Sequence, residues 1–159
     1  MTQRLDYAKQ SPRQFKKYVD FSMSLRDISI DQTLHSLIEL RASQINGCGF
    51  CVDIHSKQAK IHGERELRLY HVPIWRESPL FSPRERAALE WTEVLTRLPE
   101  GGVPDEIYEL VRKEFSEQEI SDLTFCIMAI NGWNRVSIAF KSVPGSMDTA
   151  NGLNKAGLN

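Results

Sequence analysis

ASQINGCGFCVDIHSK, residues 42–57, carries two cysteines in a C-x-x-C spacing and a histidine four residues after the second. On its N-terminal side Leu34, Leu37, Ile38 and Ile45 recur at helical spacing, and Asp31 offers a carboxylate to cap the first turn. Gly47 suits the residue that ends this helix near Asn46. A second helix is expected from near Cys48 to Gly63. The cysteines therefore open a helix that follows another helix, and the βαβ setting of thioredoxin-like motifs is absent.

The rest of the chain repeats the pattern. Ser11-Pro12-Arg13-Gln14, Ser82-Pro83-Arg84-Glu85 and Ser116-Glu117-Gln118-Glu119 each place a hydroxyl three residues before a Glu or Gln, the spacing of a reciprocal helix cap. Each should open a helix. Further helices are expected over 64–70, 83–98, 104–115 and 117–142. No stretch shows sustained two-residue alternation between hairpin turns. The expected fold is all-α, a bundle of about six to seven helices by summed periodicity. Residues 1–145 read as one domain, and the small, polar residues 146–159 as a flexible C-terminal tail.

Composition narrows the function. With 159 residues, 41% hydrophobic and 26% charged, the chain can bury a core without disulfide staples. The net charge of −1, without a basic block, argues against nucleic acid as a partner. No apolar run reaches the length of a bilayer crossing, and the polar start MTQRLDYAKQSPRQ lacks a secretory signal, so no membrane partner and a cytoplasmic location are expected. Three cysteines in a reducing compartment are no disulfide framework, so the close pair calls for a redox, catalytic or metal explanation. Cys126 lies in an apolar run and reads as a core residue.

Helical geometry gathers the reactive groups. At 100° per residue, Cys48 and His55 fall about 20° apart around the axis, and Cys51 and His55 about 40°. The step from Cys51 to His55 spans consecutive turns, so the imidazole can serve that thiol, while first-turn amides favour a thiolate. With a peroxide, Cys51 would form a sulfenic acid as His55 protonates the departing oxygen, and Cys48 would then close a disulfide. A dithiol or protein reductant would reopen it. Glu39, one helix earlier and on one face with His35 and Ser43, is a candidate to orient His55, with a solvated helix acid as the alternative. Arg41 falls near an apolar stripe and reads either as a paired, partly buried charge or as an arginine reaching to the surface. Asn131, Asn134 and Arg135 interrupt an apolar helix and read as a packing network.

The segment LIELRASQINGCGFCVDIH, residues 37–55, resembles the alkylhydroperoxidase D (AhpD)-like branch of the carboxymuconolactone decarboxylase family, with its N-G-C-x-x-C-x-x-x-H core. IWRESPLFSPRERAALEW and INGWNR are similar to later helices of that branch. The resemblance implies an AhpD-like helical bundle, assembled as a homo-oligomer (trimer or hexamer), and thiol-dependent reduction of a hydroperoxide substrate. Cys51 would be the peroxidatic sulfur, Cys48 the resolving one and His55 part of a proton relay. No cofactor or metal is implied. Two positions depart from the enzyme that typifies the activity: Phe50 stands where it has a histidine, and Ser36 where it has the relay glutamate, with Glu39 one turn later as a substitute.

Two alternatives use the same residues. General thiol-disulfide exchange needs no peroxide site. A zinc-binding or structural module would take Cys48, Cys51 and His55 with a fourth ligand such as Glu39.

Overall fold

The structure, a computed structural model, describes residues 2–158. The chain runs α1 (Tyr7–Gln10), α2 (Pro12–Ser24), α3 (Gln32–Asn46), α4 (Gly49–Ile61), α5 (Glu66–His71), a 3₁₀ turn (Val72–Glu77), α6 (Pro83–Thr96), α7 (Asp105–Arg112), α8 (Glu117–Phe140), α9 (Asp148–Asn151) and a last 3₁₀ turn (Leu153–Ala156). Among the described residues there is no strand, and the all-α expectation holds. No described helix is long and apolar enough to cross a membrane.

Two of the three start signals close as full reciprocal caps. Ser82 accepts from the Glu85 amide and Ser116 from the Glu119 amide, and each glutamate accepts the serine amide in return at 2.8 Å. Ser11 opens α2 without a side-chain hydrogen bond. It also ends α1, donating its amide to the Tyr7 carbonyl, and this double duty holds it away from cap geometry. α8 stops before Pro144 at Lys141, which adopts the left-handed conformation (φ 54°).

α3 is the axis of the bundle, with α4, α6 and α8 packed around it. Leu34 and Ile38 meet Ala88, Trp91, Leu123 and Ile127 on one side, while Leu37 and Leu40 meet Ala59, Trp75 and Leu89 on the other. Each such leucine or isoleucine contributes roughly 1.5–3 kcal/mol by leaving water. The polar groups of the α3–α8 contact are joined to one another. Asn46 donates to Asn131 and Asn134 at 2.9 and 2.8 Å, Asn134 donates to Ser43, and Asn131 donates to Thr96. Beside this network Tyr18 packs over Gly132, where an added Cβ would collide with the hydroxyl.

The C-terminal segment differs from the flexible tail that its composition suggests. α9 and the last 3₁₀ turn fold back along α4, burying Leu153 and Ala156. The Gly145 amide donates to Asp53 at 2.9 Å, and Lys57 Nζ bridges Asp53 (2.8 Å) and Asp148 (2.7 Å). Two small apolar plugs and a pair of partly buried ion pairs are enough to dock a segment made mostly of small and polar residues. Gly49, Asp53 and Lys57 form the stripe of α4 that faces it, with Pro144 lying against Gly49.

Candidate active site

The site forms where α3 hands over to α4. Gly47 makes the turn in the left-handed conformation (φ 68°), which a side chain would strain. Cys48 is the N-cap of α4, and its Sγ accepts the Cys51 amide at 3.3 Å. The unpaired amides of this helix start therefore act directly on the Cys48 sulfur. Cys48 and Cys51 are joined as a disulfide, with Cα atoms 5.3 Å apart and exposures of only 1% and 3%.

His55 and Gln58 continue the Cys51 face of α4 on successive turns. His55 Nδ1 lies 3.2 Å from Glu39 Oε2 and 3.0 Å from Gln58 Oε1. The other Glu39 oxygen is 3.9 Å from His35 Nε2. Burial acts to raise the Glu39 carboxyl, yet the charge and hydrogen bond of His55, with His35 and Arg26 beyond, hold its pKa down at about 2. Burial likewise opposes a charge on His55, and Glu39 with Gln58 outweighs it, so the imidazole pKa is raised. The structure thus brings all four predicted residues together: Glu39 reaches His55 from α3, and the cysteines and His55 share α4.

A cavity of about 820 Å³ opens beside this cluster. Cys51, His55, Glu39 and Gln58 line it, and Cys48 does not. Phe50 contributes to the wall, with Phe15 and Trp133 from the α2–α8 side and Leu153 from the folded-back C-terminus. Gln58 and Arg26 escape a motif reading. For Gln58 the available signal is its i+3 position after His55.

The remaining polar residues fall into structural roles. Arg41 pairs with Glu93 at 2.6 Å, and Glu93 also accepts from Trp75 and Arg76. Cys126 is buried, and burial followed by the nearby Glu39 and Asp122 charges pushes its thiol up to about 12. Among the described residues no group of three His, Cys, Asp or Glu side chains is arranged to hold a metal ion.

The model of the carboxymuconolactone decarboxylase family matches residues 12–94, which include Glu39, Cys48, Cys51 and His55. The chain belongs to the carboxymuconolactone decarboxylase family. Among its relatives, the uncharacterized protein YdfG of Bacillus subtilis is 42% identical over 139 residues, covering 87% of this chain and 95% of that protein. The crystal structure of ATU0492 from Agrobacterium tumefaciens, a protein of unknown function for which an AhpD antioxidant-defence role has been suggested, superimposes with a TM-score of 0.87. It is 40% identical, over 90% of this chain and 98% of that one. An uncharacterized peroxidase-related protein with an AhpD core from Ralstonia eutropha has a TM-score of 0.78 over 87% of this chain and 74% of its own, and at 19% identity it shares the fold. Within the carboxymuconolactone decarboxylase family the chain falls in the AhpD-like branch.

Proposed function

We propose that the protein is a thiol-dependent peroxidase for organic hydroperoxides. The observation that carries this reading is the shared wall of one cavity: Cys51 and His55 line it together, while Cys48 is bonded to Cys51 from behind. In the reduced protein the Cys51 thiolate attacks the outer oxygen of ROOH, the O–O bond breaks, and His55 in its charged form protonates the departing alkoxide to ROH. Cys51 becomes a sulfenic acid. Cys48 then attacks that sulfur, forming the disulfide and releasing water. A dithiol returns two electrons and two protons, leaving as its own disulfide. Glu39 stabilises the charge that His55 gains when it takes the Cys51 proton.

The size of the cavity supports an organic substrate. About 820 Å³ far exceeds what hydrogen peroxide needs, since a water molecule occupies only about 30 Å³ in the liquid. Apolar walls such as Phe50 and Trp133 suit an alkyl or aryl group. General thiol-disulfide exchange would use the same two sulfurs but gives the cavity and its apolar walls no role. The reading also carries a homo-oligomer of trimeric or hexameric form and a small or protein dithiol as reductant.

Single-turnover oxidation with cumene hydroperoxide and hydrogen peroxide tests the proposal. Wild type should lose two thiols per peroxide and prefer the bulkier oxidant. Cys48→Ser should accumulate a trappable sulfenic acid, and Cys51→Ser should hardly react. A Cys51→Ser protein that reacts as fast as wild type would overturn it.

A further inference from the structure

His55 Nδ1 has two acceptors within reach, and the nearer is Gln58. The Gln58 oxygen stands at 3.0 Å and the Glu39 oxygen at 3.2 Å, one from the histidine's own helix and one from the helix beneath it. One N–H can point fully at only one of them. Glu39 is also drawn toward His35, on the far side of its carboxylate. Both acceptors converge on the same ring nitrogen, and Nε2 has no hydrogen-bond partner among the described residues. His55 also lines the cavity, so Nε2 is the nitrogen left for the thiol and the peroxide.

We propose that Gln58 is a positioning residue that holds the His55 proton on Nδ1 and so keeps Nε2 available to the cavity. An acceptor beside one ring nitrogen decides which tautomer a neutral imidazole adopts. The amide does so without adding charge. A carboxylate at position 58 would flank the ring with two negative groups and hold it as imidazolium over a wider pH range, removing the base that must take the Cys51 proton. A hydrocarbon there would leave Glu39 alone to fix the ring, from another helix and at the longer distance. A neutral acceptor keeps His55 able to carry a proton in either direction within a turnover.

Other ionisable groups share this environment. Glu39 and His35 approach from α3, and Arg26 from the turn before it. Cys51 belongs to α4 and His62 caps its C-terminus, and Asp6 and Tyr7 line the cavity from the N-terminal segment. Cys126 of α8 lies within the field of Glu39. Of these, only Glu39 bonds Nδ1 along with Gln58.

The rate-related part of this inference rests on the peroxidase reading, but the tautomer does not, and the experiment separates them. Reduced protein with ¹⁵N-labelled histidine is titrated by long-range ¹H–¹⁵N correlation, for wild type, Gln58→Leu and Gln58→Glu. Wild-type His55 should titrate to a single Nδ1–H tautomer. Gln58→Leu should give a mixture with Nε2–H, whereas Gln58→Glu should keep Nδ1–H and raise the His55 pKa by about one unit, the usual effect of an adjacent opposite charge. In parallel, the pH profile of oxidation by cumene hydroperoxide should shift upward by about one unit in Gln58→Glu. Gln58→Leu should lose rate at every pH.

An unchanged tautomer in Gln58→Leu, or an unshifted His55 titration in Gln58→Glu, overturns the assignment of Gln58. Should Gln58→Leu fail to fold, the glutamate variant still decides. Wild type inert to both peroxides would defeat the peroxidase reading, while the tautomer measurement would still settle the role of Gln58.

Discussion

Glu39 Oε2 and His55 Nδ1 stand 3.2 Å apart across the α3–α4 junction, and each partner's pKa is moved toward its charged form. The two shifts bound the pH range in which the pair stabilises the fold. The Glu39 carboxyl is held at about 2 against an ordinary 4.5, so its contribution is present above about 4.5 and is lost as pH falls toward 2. The His55 pKa is raised above an ordinary 6.5, so its contribution is complete below about 6.5 and is lost as pH rises through the higher value.

Glu39→Gln should therefore remove both limbs. At pH 6 the variant is expected to lose about 1–3 kcal/mol of stability, the usual cost of breaking a partly buried, hydrogen-bonded charge pair. Its denaturation midpoint should vary less between pH 3 and 8 than that of wild type. Oxidation by cumene hydroperoxide should slow by about 10²-fold, the scale of a lost proton-transfer partner. Urea titrations across that range and stopped-flow thiol loss measure the two effects.

Lys57 joins α4 to the C-terminal segment through two aspartates, and these bonds hold its pKa above the ordinary value. Lys57→Met leaves Asp53 and Asp148 facing each other without a counter-charge. A loss of about 1–3 kcal/mol is expected, with the milder Asp148→Asn near the lower end. Limited proteolysis should cut after residue 145 faster in both variants. Equal cleavage rates to wild type would contradict the anchoring role.

Gly132 faces the Tyr18 hydroxyl so closely that Gly132→Ala must displace the ring or the helix. Overpacking of this kind costs about 1–3 kcal/mol. In a Tyr18→Phe background the penalty should shrink, because the nearest clashing atom is gone, although the ring carbon at 2.8 Å remains. A double-mutant cycle by chemical denaturation reads the coupling directly.

Asn134 is fully buried and bonds both Asn46 and Ser43. Asn134→Ala removes one hydrogen bond from each of these partners, which keep their bonds to Asn131 and to the Glu39 carbonyl, and opens a small buried cavity, so a loss of about 1–3 kcal/mol is expected. Asn46 lies two residues before Cys48, and the variant should also change the rate of disulfide closure, measured by quenched-flow thiol labelling.

The parts of this structure written locally were readable from sequence. A cap uses residues three apart, and a helix face uses residues three or four apart, so Asp31, Ser82, Ser116 and the Cys51–His55 register needed no tertiary information. Glu39 was identifiable as an acid on the preceding helix. Its pairing with His55 depends on how α3 crosses α4, which no local spacing encodes. The docked C-terminus was not readable, because Lys57 and Asp148 are 91 residues apart and Leu153 and Ala156 are small plugs in a polar stretch. Gln58 looks like any exposed helix amide until the ring beside it is located. Ser11 matched its motif and failed as a cap because a short helix not expected from the sequence ends on the same residue.

Only one of the two bonded sulfurs meets the cavity. Under the peroxidase reading, oxidant and reductant would both have to reach Cys51 through this one opening. Turnover should follow alternating, ping-pong kinetics with parallel double-reciprocal lines, and a high concentration of the reducing dithiol should slow the protein by occupying the entrance meant for the peroxide.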